Sequence, residues 1–392
     1  MKTLKRTWAD ISLDNLEYNY RSIRAHLPQG TKFLGVMKAD AYGHGAVPVS
    51  RALADLGAEY LAVSNLEEAV QIRRGEVRLP ILILGYTPAE YAANMIFLDI
   101  TQEVHSLEYA RELNEALAGT NYILNVHLKL DTGMTRIGFF AYDNERTLDE
   151  LRQVAQLPHL HIEGVFMHFC VADSRAEADV SFTRLQYKRF MDMLSAMAGV
   201  GIRPEIRHCC NSGATILYPE FALDMVRPGI ITYGNAPSDE LEGALSLRPM
   251  MSLHSMIAQV RTVPAGTDIS YGRLYRTKEE TRVAVLPIGY ADGLSRLLTG
   301  KASFYLQGHQ VPVIGRICMD MCMIDVSGVP EAKPGDVVTI FGYDDDGTLL
   351  PCERLARAQG TINYELLCQI SKRIPRICHR GAETSQILQY IV

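Results

Sequence analysis

The start of the chain has the apolar spacing of an amphipathic helix, and short apolar runs typical of buried parallel strands follow it. The helical face consists of apolar residues three or four positions apart, namely Leu13, Leu16, Tyr20, Ile23 and Leu27. The predicted strands are residues 33–38, 60–64, 81–85, 95–100, 125–130, 162–168, 205–209 and 225–233. Helical stretches separate most of them, among them residues 67–74, 108–117 and 182–197.

Strands that alternate with helices in this way predict a (β/α)8 barrel of the TIM type over residues 1–240. A doubly wound open sheet is the alternative, because the hydrophobic pattern fixes neither the number of strands nor the closure of the sheet. Both architectures place functional side chains at the carboxyl ends of the parallel strands.

After about residue 240 the pattern changes to strand-like runs separated by turn signals, such as those at 264–266 and 307–308. The predicted strands here are residues 252–263, 282–287, 303–306, 311–314, 319–326 and 337–341. Only residues 352–358 and 363–371 have helical spacing. We therefore expect an α/β protein in which residues 241–392 form a mostly antiparallel C-terminal β domain.

Composition excludes several classes of protein. Apolar residues make up 47% and charged residues 21%, as in a globular protein, and the net charge of −6 argues against nucleic-acid and anionic-membrane partners. No apolar stretch is long enough to span a membrane. The N-terminal residues lack the apolar centre of a signal peptide, so we expect a cytoplasmic protein.

The eight cysteines change this picture little. In a chain of this size without an export signal, they are expected to be free thiols that pack as small apolar groups. Cys318 and Cys322 have the spacing of a zinc-binding pair, but no second pair lies nearby in the sequence. We therefore expect no metal site.

Polar side chains stand where the predicted barrel strands end, which is where barrel enzymes place catalytic groups. They are Lys38, Lys129 with Asp131, His168, Asn211 with Ser212, and Arg227. Partial burial at a strand end lowers the pKa of a lysine and makes its amine nucleophilic, which suits a Schiff base with an aldehyde cofactor. The alternative for Lys38 is a strand-end lysine that reaches out to water.

The segment 36–45, Val-Met-Lys-Ala-Asp-Ala-Tyr-Gly-His-Gly, closely resembles the pyridoxal 5'-phosphate (PLP) attachment motif of alanine racemases. Further motifs of that family follow in the same order at residues 129–138, 167–169, 211–212, 226–230, 270–272, 289–293, 315–320 and 361–365. The resemblance implies a PLP-binding barrel, a C-terminal β domain and the racemisation of a small amino acid, alanine.

By this resemblance Lys38 holds PLP covalently. The residues implied in binding the rest of the cofactor are Tyr42, His168, Asn211, Ser212, Arg227, Gly229, Ile230 and Tyr364, several of them at the phosphate. Hydroxyls and backbone N–H groups suit a phosphate because each donates a hydrogen bond to an anionic oxygen. Ser212 is alternatively a helix N-cap, and the two tyrosines are alternatively ordinary half-buried aromatics.

Arg227 resembles the arginine that faces the pyridine nitrogen of PLP. A guanidinium only donates hydrogen bonds, so the nitrogen must accept and stays unprotonated. An unprotonated ring withdraws electrons less strongly, which shortens the life of the carbanion and favours clean racemisation over transamination. The alternative is a surface arginine before the Pro228-Gly229 turn.

Racemisation takes a proton from one face of Cα and returns one to the other, and two bases on opposite faces achieve this most simply. The resemblance assigns them to Lys38 and Tyr271, the latter reaching the site from the second subunit of a head-to-tail homodimer. A tyrosine base needs positive neighbours, and His168 and Arg227 resemble members of that network. An ordinary strand-end histidine is the alternative for His168.

Arg136 and the backbone at Met319 of the partner subunit resemble the groups that hold the substrate carboxylate. Lys129 matches a lysine that is often carbamylated in the family, and a carbamate would orient Arg136. Tyr290 and Tyr364 resemble the pair that narrows the entrance. Asp320 is assigned to ordering the Met319 segment, with a solvated turn as the alternative.

Three other enzyme or binding classes compete with alanine racemisation. A serine or broad-specificity racemase is disfavoured because the ring of Tyr364 would crowd a longer side chain. A PLP carrier would lack a second domain with Tyr271, and a PLP decarboxylase would prefer a carboxylate where Arg227 stands. The residues that depart from the family pattern are Cys170, Cys210, Leu274 and Met321, which bear on selectivity rather than on the chemistry.

Overall fold

The computed structural model describes residues 6–142 and 144–391, without the side chain of residue 144. These residues form two compact units. The first comprises Leu16–Ala41 and Ala46–Arg248, and the second comprises the residues up to Asn15, Tyr42–Gly45 and those from Pro249 onwards.

Parallel strands of the first unit form a closed barrel. The barrel strands are β2 (Lys32–Val36), β3 (Tyr60–Val63), β4 (Ile81–Ile83), β5 (Ile100–Val104), β6 (Leu124–Asp131), β8 (Leu160–Phe166), β9 (Ile206–His208) and β10 (Met225–Val226). Each pairs with the next in parallel, β10 pairs with β2, and β5 pairs with β6. This pairing confirms the (β/α)8 barrel and excludes the open sheet. A short strand, β7 (Phe139–Phe140), pairs in parallel with the end of β6.

Helices link these strands as the sequence predicted. They are α1 (Leu13–His26), α2 (Lys38–Tyr42), α3 (Ala46–Leu56), α4 (Leu66–Arg74), α5 (Ala92–Phe97), α6 (Leu107–Ala116), α7 (Asn144–Val154), α8 (Glu177–Gly199) and α9 (Ser212–Leu217). Side-chain N-caps stabilise the start of several of these helices. For example, Asn65 and Ser106 accept hydrogen bonds from the backbone N–H groups of Glu68 and Tyr109.

The predicted strand at residues 95–100 is wrong. Met95 lies in helix α5, and the strand starts only at Ile100. A left-handed residue, Asp99 with φ 53°, turns the chain between the helix and the strand. The error arose because a short buried helix and a buried strand show the same apolar run.

The second unit is rich in antiparallel strands, as expected. Its largest sheet contains β1 (Thr7–Ser12), β11 (Met251–Met256), β16 (Ser303–Leu306), β17 (His309–Pro312), β19 (Val337–Tyr343), β20 (Leu349–Leu350), β21 (Arg376–Arg380) and β22 (Glu383–Leu388). The N-terminal strand β1 lies at its centre, antiparallel to β11 and parallel to β21.

Two smaller sheets and two helices complete this unit. The remaining strands are β12 (Gln259–Val263), β13 (Asp268–Ile269), β14 (Tyr275–Arg276), β15 (Thr281–Leu286) and β18 (Cys322–Asp325), and the helices are α10 (Cys352–Gln359) and α11 (Asn363–Gln369). Across both units, none of the helices that the structure describes has the length and apolar character needed to cross a bilayer.

Candidate active site

The polar residues singled out in the sequence follow the carboxyl ends of five barrel strands. Listed by strand, they are Lys38 after β2, Lys129 and Asp131 at the carboxyl end of β6, His168 after β8, Asn211 and Ser212 after β9, and Arg227 after β10. In a parallel barrel these ends share one rim, so side chains distant in sequence come together there.

The chain turns sharply after β2 at Lys38. Ala39, Asp40 and Ala41 have φ values of 53°, 54° and 54°, a left-handed conformation that costs a residue with a Cβ on the order of 1–2 kcal/mol. Side chains hold the turn, since Glu68 accepts from the Ala39 N–H at 2.7 Å and Asp40 accepts from the Ala46 N–H at 2.8 Å. Backbone strain of this kind concentrates at functional sites.

Arg227 is buried at the centre of the rim and is anchored by four acceptors. Nη1 donates to Nδ1 of His208 at 3.0 Å, and Nη2 donates to the Met167 carbonyl at 2.7 Å, Nδ1 of His168 at 3.2 Å and the Cys209 carbonyl at 3.2 Å. A guanidinium has five N–H donors, so the Nε–H and one Nη1–H remain for an acceptor in the site. Arg227 is therefore no surface arginine, and that alternative is wrong.

His168 is neutral and its tautomer follows from Arg227. Because the guanidinium only donates, Nδ1 of His168 must accept and the ring proton stays on Nε2. Burial lowers the pKa of His168 well below its usual value, and four positive charges lower it further: Arg227, Lys129, Arg136 and Lys38. All four of these side chains therefore lie close enough to the His168 ring to lower its pKa.

Lys129 is buried beneath this group of cations. Its Nζ lies 5.0 Å from the centre of the Phe166 ring, which also carries the guanidinium of Arg227 at 5.4 Å. Burial, followed by repulsion from Arg227 and Arg136, lowers the pKa of Lys129 to about 7. Much of this amine is therefore uncharged and nucleophilic near neutral pH.

The loop after β6 presents Arg136 at the surface of the unit. Asp131 shapes this loop, because its carboxylate accepts from the N–H groups of Gly133 at 2.8 Å and Thr135 at 3.1 Å. Arg136 itself is exposed. An exposed guanidinium beside a cationic rim is suited to hold the carboxylate of a small molecule.

Ser212 and Gly229 meet on the other side of the rim. The N–H of Gly229 donates to Oγ of Ser212 at 2.9 Å, and Ile230 opens the 3-10 turn Ile230–Tyr233. The N-cap of α9 is Asn211, whose side chain accepts from the Ala214 N–H at 3.0 Å and donates to the Phe169 carbonyl at 3.2 Å. The alternative that made Ser212 the N-cap is therefore wrong, and its hydroxyl is available to a ligand.

Within the second unit, Tyr42 and Tyr364 lie against each other. Their ring centres are 5.9 Å apart at 54°. Tyr42 is buried, and burial raises the pKa of its phenol, so the hydroxyl keeps its proton and can donate to an anion. Arg376 fixes this segment, since its buried guanidinium donates to the Gly43 carbonyl at 2.9 Å and to the carbonyls of Ser371, Ile374 and Ile370.

Three loops of the second unit that carry predicted site residues are joined by hydrogen bonds. The Ser270 hydroxyl donates to the Arg316 carbonyl at 2.7 Å, the Tyr290 N–H to the Cys318 carbonyl at 3.0 Å, and the Ala291 N–H to the Met319 carbonyl at 3.0 Å. Their apolar side chains point outward, with Tyr271 70%, Met319 53% and Tyr290 43% exposed.

Asp320 is held beside these loops by Arg373, which donates to it at 2.8 Å and also lies 3.6 Å from the buried carboxylate of Asp292. Asp292 in turn accepts from the Gly289 N–H at 3.0 Å. A Cβ at Gly289 would lie 2.3 Å from the Cys318 carbonyl oxygen, so the two loops approach this closely only because residue 289 is glycine. Asp320 is thus paired with Arg373, while its side chain remains 52% exposed in a bend.

Comparison with known proteins identifies the family. The chain matches the alanine racemase N-terminal domain over residues 11–237 and the alanine racemase C-terminal domain over residues 250–378. The chain belongs to the alanine racemase family. Curated alanine racemases of Desulfovibrio desulfuricans and Clostridium tetani are 46% and 42% identical to it, over 94% and 100% of this chain and 97% and 100% of their own. The alanine racemase structure of Clostridium difficile 630 superposes with a TM-score of 0.94 at 40% identity, with both chains fully covered.

Alanine racemases are PLP-dependent, and this chain is accordingly a PLP-dependent amino-acid racemase. The barrel rim fits such a cofactor. The donors of Arg227 left over from its anchoring bonds suit an unprotonated ring nitrogen, and the Ser212 hydroxyl, held by the Gly229 N–H, suits a phosphate.

Sequence reasoning missed two buried histidines that contact this site, His127 and His208. His127 stands between Val126 and Leu128 in a predicted strand, and a polar residue between apolar neighbours is the signal that could have revealed it. His208 has no such signal, because it follows Arg207. It also missed Arg376, which the sequence shows only as one arginine in a C-terminal strand.

Proposed function

We propose that the protein interconverts L-alanine and D-alanine with PLP, using Lys38 and Tyr271 as two bases on opposite faces of the substrate. The observation that carries the proposal is the buried, donor-only guanidinium of Arg227 at a rim that also holds Lys38. When bound, PLP supplies the electron-withdrawing ring that makes the Cα proton of an amino acid acidic.

In this proposal hydroxyls and backbone amides bind the phosphate end of the cofactor. Ser212 and the N–H of Ile230 are two of these donors; the Gly229 N–H holds the Ser212 hydroxyl, and Asn211 orders the turn that presents it. We assign the phenols of Tyr42 and Tyr364 to the same phosphate. All are neutral donors, which suit an anionic phosphate oxygen without adding a further buried charge.

Arg227 would keep the pyridine nitrogen of bound PLP unprotonated, because a guanidinium can only donate a hydrogen bond to it. A carboxylate at that position would accept a hydrogen bond from a protonated ring nitrogen and so strengthen electron withdrawal, as a decarboxylase requires. The guanidinium stays protonated at neutral pH even though burial lowers the pKa of Arg227 to about 10. With Arg227 at the ring nitrogen, bound PLP would withdraw electrons less strongly, which would favour return of a proton to Cα over transamination.

Lys38 exchanges the proton on one face, and Tyr271 of the partner subunit exchanges it on the other. The phenolate of Tyr271 needs a donor, and His168 is suited to this role because its proton is fixed on Nε2. The neighbouring cations stabilise the negative oxygen. In this way one imidazole links the second base to Arg227.

The substrate carboxylate binds Arg136 and the backbone N–H of Met319 of the partner subunit. Asp320 supports the Met319 loop through Arg373, and a carbamate on Lys129 orients Arg136. Tyr290 and Tyr364 narrow the entrance, which favours alanine. A serine racemase is the second candidate on this scaffold, and the alanine racemase relatives do not favour it.

A shared site requires a head-to-tail homodimer. The exposed apolar side chains of the loops around Tyr271, Tyr290 and Met319 support an interface on that face. We place the reaction in the cytoplasm, with D-alanine serving as a peptidoglycan precursor, and divide the work between a barrel over residues 1–240 and a β domain over residues 241–392.

The test is an assay of the purified protein, loaded with PLP, against each common L-amino acid by chiral chromatography. Alanine should have the highest kcat/KM. Lys38→Ala should abolish both turnover and the yellow absorbance that hydroxylamine removes from the wild type. A preference for serine, or a reducible PLP adduct on another lysine in Lys38→Ala, would contradict the proposal.

A further inference from the structure

A continuous chain of hydrogen bonds crosses the inside of the barrel from Arg227 to Glu163. Nη1 of Arg227 lies 3.0 Å from Nδ1 of His208, whose Nε2 lies 2.8 Å from Nδ1 of His127. Nε2 of His127 lies 3.1 Å from Oε2 of Glu163. At the far end, Glu163 also accepts from the hydroxyls of Tyr60 at 2.9 Å and Thr101 at 3.3 Å.

The direction of every bond in this chain is fixed by Arg227. A guanidinium only donates, so Nδ1 of His208 accepts and its proton lies on Nε2, which donates to His127. Nδ1 of His127 then accepts, so its proton also lies on Nε2 and is donated to Glu163. Both imidazoles are therefore neutral and each has a single tautomer. Burial lowers the pKa of both histidines, in agreement with this assignment.

A β-bulge in the backbone places Glu163 at the end of this series of hydrogen bonds. Strand β8 has one residue more than β6 at this point, because Val126 pairs with Ile162 while His127 pairs with Gly164. Glu163 is the extra residue, and bulges of this kind redirect a side chain. Residue 164 must also be glycine, since a Cβ there would lie 2.5–2.6 Å from three atoms of the His127 ring.

Arg227 needs a distant counter-charge because none is adjacent. Among the residues that the structure describes, no carboxylate forms a salt bridge with Arg227, and the nearby charge of Arg136 is positive. A buried cation without compensation is costly. Glu163 is the carboxylate at the other end of the bonded chain, and its hydrogen bonds polarise both imidazoles toward the guanidinium.

We propose that Glu163, acting through His127 and His208, is the distant counter-ion of Arg227 and fixes the orientation of its guanidinium. The three are positioning residues. The inference rests on the role proposed above for Arg227. Burial alone would raise the pKa of Glu163, but its bonds from His127, Tyr60 and Thr101 outweigh burial and hold that pKa below its usual value, so the carboxylate stays charged.

The test compares substitutions that preserve or interrupt the hydrogen bonds between Arg227 and Glu163. An amide has an acceptor and a donor about as far apart as the two nitrogens of imidazole, so His127→Gln can keep both bonds, whereas His127→Leu fills the space and breaks them. We expect His127→Leu to lower kcat by about tenfold or more with little change in KM, and His127→Gln to restore kcat to within about threefold of wild type. Glu163→Gln, which keeps the bond but removes the charge, should fall between them.

A second readout distinguishes positioning from loss of structure. A loosely held Arg227 should let more of the carbanion transaminate, so His127→Leu should form more pyruvate per alanine racemised, and His127→Gln should not. His161→Leu is the matched control, since His161 is exposed on the neighbouring strand β8. Equal effects of His127→Leu and His161→Leu on kcat and pyruvate would overturn the proposal, as would a folded His127→Gln as defective as His127→Leu.

The apoprotein tests the same chain without turnover. Nitrogen-15 NMR should show His127 and His208 neutral and protonated on Nε2, and slowly exchanging Nη hydrogens on Arg227 whose exchange His127→Leu accelerates. A charged imidazole, a proton on Nδ1 of His127, or unchanged exchange in His127→Leu would each overturn the inference. Because this measurement needs neither PLP nor alanine, its failure is distinct from failure of the proposed racemase activity.

Discussion

Nη2 of Arg227 lies 3.2 Å from Nδ1 of His168, and this bond couples the proton position of the histidine to the guanidinium. The same nitrogen also donates to two backbone carbonyls, of Met167 and Cys209. The planar guanidinium of arginine can donate hydrogen bonds to acceptors in several directions at once, whereas the ammonium of lysine acts as a point charge. The identity of residue 227 should therefore matter beyond its charge.

We expect Arg227→Lys to lower kcat for alanine racemisation by about a hundredfold or more, because lysine keeps the charge but cannot anchor to all four acceptors. Arg207→Lys is the matched control, since Arg207 pairs with Asp224 and its side chain is 44% exposed. Chiral chromatography of initial rates measures both variants. Wild-type kcat in Arg227→Lys would show that charge alone suffices.

Lys129 should accept carbon dioxide in the folded protein. Its pKa of about 7 leaves much of the amine uncharged at neutral pH, and only the uncharged form reacts to give a carbamate. Carbon-13 NMR of protein incubated with labelled bicarbonate should show a carbamate signal that Lys129→Met lacks. A signal of equal size in Lys129→Met would assign the carbamate to another amine.

The same lowered pKa makes stability depend on pH. Between about pH 7 and the ordinary lysine value of 10.5, the unfolded chain holds a proton on Lys129 that the folded chain has lost. The free energy of unfolding should therefore rise with pH in this window, by up to about 1.4 kcal/mol per pH unit from this group. Below about pH 7 the folded protein also holds the proton on Lys129, so burial of this ammonium lowers the free energy of unfolding by its full amount.

Thermal unfolding of the apoprotein in buffer free of carbon dioxide measures this effect. Lys129→Met cannot be protonated, so its Tm should exceed that of the wild type at pH 7 and approach it at pH 9.5. Lys188→Met serves as the control, because Lys188 is exposed and pairs with Asp192 on a helix surface. A constant difference between wild type and Lys129→Met across this range would contradict the shift.

Tyr364 should set the preference for alanine over serine. Its ring packs 5.9 Å from Tyr42, and we propose that it crowds any side chain longer than a methyl group. Tyr364→Asn should lower kcat/KM for alanine and raise the serine-to-alanine ratio of kcat/KM by about tenfold. Tyr305→Asn, in β16, controls for the loss of a tyrosine elsewhere in the same unit. An unchanged ratio would remove Tyr364 from the determinants of selectivity.

The sequence predicted the barrel rim well because strand ends are locally encoded. An apolar run that stops at Lys38 or Arg227 fixes where a side chain leaves the barrel, and the closed sheet then brings these ends together. The strand at 95–100 was misplaced because nothing local separates a short buried helix from a strand.

The hydrophobic pattern of the sequence could not predict which distant strands pair or their exact register. The strand Thr7–Ser12 joins the sheet of the second unit through partners more than two hundred residues away, such as Ala9 opposite Leu253. The bulge that turns Glu163 toward His127 depends on a one-residue shift between two strands. Neither feature is visible in the hydrophobic pattern of one segment.

The two-base mechanism predicts that two inactive variants rescue each other. Lys38 lies in the barrel unit and Tyr271 in the second unit, and we propose that they meet only across the dimer interface. Lys38→Ala and Tyr271→Phe should each be inactive alone, although Tyr271→Phe should still bind PLP because attachment needs only Lys38. When subunits exchange at random, about half the dimers are mixed, and each mixed dimer has one site with both lesions and one with neither.

Activity after exchange should therefore recover to roughly a quarter of the wild-type value. The measurement is the rate of D-alanine formation before and after exchange, with subunit exchange verified by native mass spectrometry of isotope-labelled chains. The double variant Lys38→Ala/Tyr271→Phe, mixed with itself, is the control and should stay inactive. No recovery despite verified exchange would mean that both bases come from one chain or that Tyr271 is not a base. The Nε2 proton of His168 would then need another partner.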